Sequence, residues 1–155
     1  MPVAPPPTEP TQSTDPSGVT LLGSAARAAS GTGSIVEVLA QFAYVTFELL
    51  VTSVPAPGTL DVYVQQVLDG TNFDDVVHFA QVAGGGAAQG QGASFAVRRA
   101  DAAPEVHTWQ DQALGAASVR DVVLGRKFRV AFVIAGGGSW TFAVYAWQRT
   151  PHTPH

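Results

Sequence analysis

The sequence predicts an all-β fold: a single β-sandwich, jelly-roll or immunoglobulin-like, with an extended Pro-rich N-terminal arm. Three observations predict it. Apolar and polar residues alternate over short runs, Gly and Pro clusters separate those runs, and no stretch carries a convincing helical period. With 16 Gly and 11 Pro in 155 residues, turn-forming residues are plentiful. The length sets one domain as the default and suffices for a sizeable core. The expected organisation is an arm over 1–18, a sandwich over 19–149 and a frayed tail over 150–155.

The arm, MPVAPPPTEPTQSTDPSG, has five prolines in its first ten residues. Proline fixes φ and removes backbone donors, so this stretch favours extended structure with no core of its own. Residues 19–29 (VTLLGSAARAA) are expected to open the fold as a strand. Helix is the alternative, because Ala and Leu favour it. A GTGS turn follows, then a short strand over 35–39. In 44–54 (YVTFELLVTSV), Val45, Phe47, Leu49 and Val51 share one face, as in a half-buried strand. Pro55 and Pro57 end it.

The central stretch, 59–82, reads as a hairpin. Leu60, Val62 and Val64 alternate with Asp61, Tyr63 and Gln65, and Asp69-Gly70 supplies the reversal. Phe73, Val76, Val77 and Phe79 furnish the return strand. The following AGGGAAQGQGA reads as a flexible loop by composition, and 94–99 as a short strand. Irregular chain is expected over 101–125, with strands possible at 104–109 and 119–124. Residues 127–135 (KFRVAFVIA) alternate well, and 140–147 (WTFAVYAW) is the closing strand. Gly136-Gly137-Gly138 between them suggests a terminal hairpin. Trp140 and Phe142 share one parity and Tyr145 and Trp147 the other, so one pair belongs to the core and the other faces outward.

Composition excludes several functions. A formal charge of −4 and a single Lys beside seven Arg argue against a nucleic-acid groove. Only 13% of residues are charged, about half the usual share, so part of the surface is expected to be covered by a partner. There is no Cys, which removes disulfides and thiolate metal sites. The N-terminus lacks the basic and apolar regions of a signal peptide. The longest apolar candidate, 38–51, is interrupted by Gln41 and Glu48, so no membrane span is expected.

No catalytic residue, cofactor or metal is assigned. Asp69, Asp74 and Asp75 cluster in DGTNFDD, where Ca²⁺ is an option but the spacing is not that of an EF-hand and turn chemistry is the simpler reading. His78, His107, His152 and His155 form no metal or catalytic pattern. G-x-S-x-G is absent, and the Gly-rich loop lacks a phosphate-binding ending. Glu37, Glu48, Asp61 and Glu105 lie on different expected strands, so spacing does not pair them as a glycosidase would need.

LDVYVQQVLDGTNFDDVVHFAQV, followed by VRDVVLGRKFRVAFVIAGGGSWTFAVYAW, resembles small virion proteins of tailed bacteriophages. The resemblance rests on Leu60 to Gln65, Asp69 to Asp75, Phe79, Leu124 to Val133 and Phe142 to Val144; Phe73 stands where Trp is usual. It implies a capsid decoration (cement) protein on the virion surface, made in the host cytoplasm. The implied partner is the major capsid protein, and the implied state a homotrimer whose N-terminal arm reaches a neighbour. Pro5, Pro6, Pro7, Thr8, Glu9 and Pro10 are then the arm's binding residues. Parity and composition select Tyr63, Trp109 and Trp147 as interface aromatics. The alternatives are a tail or head-completion component and a carbohydrate-binding sandwich for host adsorption.

Overall fold

The computed structural model describes residues 3–4, 17–38, 44–96, 106, 108–120 and 124–149. Among them there is no helix, and the strands form two antiparallel sheets. Sheet 1 has the order β1 (Ser17–Arg27), β11 (Trp140–Arg149), β4 (Tyr44–Ser53), β8 (Gln89–Ala96). Sheet 2 has the order β2 (Gly31–Thr32), β10 (Lys127–Ala135), β5 (Thr59–Val67), β6 (Phe73–His78), β9 (Ser118–Val119). Two short pieces complete it: β3 (Val36–Glu37) pairs β10, and β7 (Val82–Ala83) pairs β5.

The order decides between the two sandwich topologies. An immunoglobulin-like sandwich keeps several consecutive strands as hairpins within one sheet. Here the first and last strands are neighbours, and the chain changes sheet at most long connections. Among the long strands only β5 and β6 form a hairpin of consecutive members. This is the double Greek key of a jelly roll.

Period-two alternation places the core. Val45, Phe47, Leu49 and Val51 of β4 are wholly buried, as are Leu60 and Val64 of β5. From β10, Phe128 and Val130 meet Trp140, Phe142 and Val144 of β11 in the same cluster. Phe132 and Phe142 pack edge-to-face across the sheets, ring centroids 5.2 Å apart. Each such Phe stabilises the fold by about 1.5–3 kcal/mol through burial alone.

Four expectations are corrected. β10 and β11 do not form a terminal hairpin: β10 pairs β5 in sheet 2, and β11 lies between β1 and β4 in sheet 1. A hairpin would put both apolar rows on one side of one sheet, whereas separation sets them face to face. The connection is Gly136-Gly137-Gly138, at φ of 78°, 86° and 89°, a region open to glycine. Residues 89–92, inside the expected loop, are strand and pair with β4; the ladder uses backbone groups, which Gly has. Gly31–Thr32 is a strand pair with β10 instead of a turn. Of the strands expected at 104–109 and 119–124, only Ser118–Val119 forms among the described residues; residues 106, 108 and 109 are not strand, and 104, 105, 107 and 121–123 lie outside the described residues.

Candidate functional site

The two outer faces of the sandwich differ in chemistry. On sheet 2 the outward side chains of β5 and β6 are covered by residues 108–120, a strap that runs along β6. Arg120 N donates to Val76 O (3.0 Å), Ala117 N to Phe79 O (3.4 Å) and Asp75 N to Gln110 O (2.6 Å).

A cross-strand ladder anchors the strap. Gln65 stands opposite Asp75, and Gln66 opposite Asp74, all four at most 3% exposed. The Asp75 carboxylate accepts from the Gln112, Ala113 and Leu114 amides at 2.8–3.0 Å and from Gln65 Nε2 at 2.8 Å. Asp74 accepts from the Gln110 amide at 2.9 Å and pairs with the Arg120 guanidinium. Gln65 also donates to Asp111 (2.7 Å) and accepts from Arg129 Nε (2.8 Å). Gln66 accepts from the Gly125 amide (3.0 Å). A buried carboxylate is tolerated only with such partners. The Arg129 guanidinium lies 3.1 Å from the centre of the Phe73 ring. Burial lowers its pKa, with the negative charges of Asp111 and Asp75 acting in opposition.

At the strap's midpoint the His78 ring lies between Leu114 and Asp61. Nδ1 is 2.7 Å from the Leu114 carbonyl oxygen, and Nε2 is 2.9 Å from Asp61 Oδ1. Gln81 Nε2 donates to the other Asp61 oxygen at 2.8 Å. Tyr63 stacks on the imidazole at 3.9 Å. Burial, then the charges of Asp61 and Asp75, push its phenol pKa upward. With both nitrogens against acceptors, the ring is not placed as a general base for a nucleophile.

The carboxylates of DGTNFDD therefore do not converge. Asp69 caps its own turn, accepting from the amides of Thr71 (3.0 Å) and Asn72 (2.7 Å) and from both side chains. These bonds, the Thr71 amide first, lower its pKa to about 2. Among the described residues no group of three His, Asp or Glu side chains is arranged to hold a metal ion.

Sheet 1 has no strap among the described residues. Its register sets four rows across the outer face. Gly18, Trp147, Thr46 and Ser94 form one; Thr20, Tyr145, Glu48 and Gly92 the next; Ala143, Leu50 and Gly90 the third; Arg149, Tyr44 and Ala96 the fourth. Glu48 and Arg149 are the charged residues in these rows. Tyr44, 56% exposed, begins β4 on the same face, and Leu50 is 38% exposed. The Tyr145 and Trp147 rings lie 6.2 Å apart, tilted by 47°. Trp147 lies over the neighbouring strand at Gly18, where an added Cβ would come within 2.7 Å of its ring.

The sequence-selected residues are therefore spread. Pro5, Pro6, Pro7, Thr8, Glu9 and Pro10 lie outside the described residues, as do His107, His152 and His155. Tyr63 is 7% exposed under the strap and offers little surface to a second chain. Trp109 is 50% exposed on the strap, and Trp147 is half-buried on sheet 1. These three aromatics do not make one patch, because Tyr63 and Trp147 belong to outer faces of different sheets. The parity argument for β11 does hold: Trp140 and Phe142 are wholly buried, and Tyr145 and Trp147 face outward. The anchoring ladder lies outside the site residues selected from the sequence. Its signal is Gln-Gln on one arm of a hairpin opposite Asp-Asp on the other.

No protein-family model, curated protein or solved structure matches the chain.

Proposed function

We propose that the protein is a non-enzymatic virion component that stabilises a bacteriophage capsid lattice from outside, contacting neighbouring subunits and the major capsid protein through the outer face of sheet 1. The observation that carries this reading is the sparsely charged, aromatic-bearing face of β1, β11, β4 and β8. A free surface ordinarily carries about 25–35% charged residues, whereas Glu48 and Arg149 are two among the fourteen residues of the four rows. Trp and Tyr with few charges make up the centres of protein interfaces. The jelly roll is a frame that viral capsid domains and lectins both use, so the fold favours neither by itself. The resemblance of the β5–β6 and β10–β11 strings to phage virion proteins tips the choice.

Magnitude shapes the mechanism. Four strands about 4.8 Å apart and about eight residues long at about 3.4 Å each span ~500 Å². A standard interface buries ~800 Å² per partner. One such contact falls short of that size; contacts to two neighbours in a small closed assembly add to it, and repetition over a lattice supplies the rest through multivalency. Binding only the assembled shell then stabilises that shell by mass action.

The test is co-sedimentation with expanded, undecorated phage heads. Saturable binding that raises the heads' melting temperature is expected, and Leu50→Lys should abolish it. Absence of binding overturns the reading. Tyr44, Tyr145 and Trp147 on one open face favour a carbohydrate-binding sandwich as the second reading; a glycan-array signal lost in Tyr145→Ala would identify it.

A further inference from the structure

We propose that the Asp61–His78 pair is a proton-operated latch that holds the strap, residues 108–120, closed over sheet 2. The argument is a proton count. Nδ1 faces the Leu114 carbonyl oxygen at 2.7 Å, and Nε2 faces a carboxylate oxygen of Asp61 at 2.9 Å. Both neighbours are acceptors. A neutral imidazole has one N–H and can serve only one of them. The closed geometry therefore needs two protons. Both sit on the ring, or one sits on Nδ1 and the other on the Asp61 carboxyl, donated to Nε2. Removing one leaves two acceptors facing each other at under 3 Å.

The strap is the side that yields. Asp61 is in β5, paired with Val133 of β10, and is held by Gln81. Leu114 is in a loop. The other groups around the ring do not replace the lost proton. Tyr63 of β5 offers its ring face, which attracts a cation. Asp75 of β6 is an acceptor already engaged by three strap amides. Ser118 of β9, opposite His78, donates to Ala116 O. Arg129 is turned to Gln65 and Asp111, and Arg120 to Asp74 and Thr108. As pH rises and the pair loses its proton, residues around Leu114 lift and Tyr63 is uncovered. The latch acts on the face opposite the proposed assembly surface and does not depend on it.

The experiment is NMR on the full chain from about pH 5 to about pH 8, the range in which imidazoles titrate. It reads the ring ¹⁵N shifts of His78 together with amide exchange protection, corrected for intrinsic rates, at Ala113, Leu114 and Ala117. Expected is a doubly protonated pair at the low end. Strap protection then falls at least about tenfold through the same titration, the effect of one lost buried hydrogen bond, while β4 and β11 amides do not change. Asp61→Asn supplies the second arm. Its carboxamide nitrogen donates to a neutral Nε2 and its oxygen still accepts from Gln81, so every group is satisfied with one proton fewer. The strap of this variant should stay closed, with protection independent of pH. A wild-type strap whose protection is flat across the titration overturns the latch. So does an Asp61→Asn strap that opens with the wild-type pH profile.

Discussion

The outer faces of the two sheets solve opposite problems with the same backbone. On sheet 2 the chain covers its own surface, and Asp75 and Arg129 of the outer face find partners within the molecule. On sheet 1 the face is left open, and its rows carry Glu48 and Arg149 among Thr, Ser, Gly, Ala, Leu, Tyr and Trp. The lesson concerns where charge is placed. A face that the chain closes itself can hold buried carboxylates, because strap amides sit at fixed distances from them. A face meant for another molecule does better without charge, since desolvating an unpaired ion on binding costs more than an uncharged contact returns.

The largest break in this contrast should come from Asp75→Ala. It leaves three strap amides and Gln65 without their acceptor, and a loss of about 3 kcal/mol or more is expected in urea denaturation. Next comes Gly18→Ala on sheet 1. The new Cβ would meet the Trp147 ring at 2.7 Å, and displacing that indole should cost about 1–3 kcal/mol. Gly23→Ala is the matched control in the same strand, because nothing lies within 4 Å of its added Cβ; its melting temperature should match or slightly exceed that of wild type.

Much of this architecture was legible in the sequence. Alternation in Val45–Val51 and Leu60–Val64 marks the core faces directly, and parity alone sorts Trp140 and Phe142 from Tyr145 and Trp147. Partner choice was not legible. A run such as KFRVAFVIA presents the same alternation whether its neighbour is the next strand in the chain or one about 70 residues earlier, so alternation does not distinguish β11 from β5 as the partner of β10. Composition misled at 89–92, because Gly-rich chain can fill an edge strand whose bonds are all backbone. The strap was beyond reach for a different reason. Its anchors are amides of Gln112, Ala113 and Leu114, and any sequence supplies amides. Parity places Tyr63 outward, which is correct for the sheet and silent about what lies above it.

Smaller effects sharpen the comparison. Leu50→Lys puts a charge on the open face without touching the core, so folding should change by less than about 0.5 kcal/mol, as chemical denaturation can check. The exposed Asp69 turn supplies the gentlest test. Its folded pKa of about 2 lies below the ordinary value of 3.8, so its stabilising contribution is present above the ordinary value and is lost as pH falls through about 2. A carboxyl ¹³C titration should place its midpoint there, and Asp69→Ala should flatten that acid limb of the stability profile.

The central claim is that the open face of sheet 1 is where this chain meets its neighbours. Light scattering across a dilution series, on wild type and Leu50→Lys together, tests it most directly. The account predicts wild-type assemblies of several 16.1 kDa chains, three if the capsid reading holds, and a variant at the mass of one chain with an unchanged circular dichroism spectrum. A wild type at single-chain mass at every concentration, or a variant that assembles as the wild type does, would contradict it.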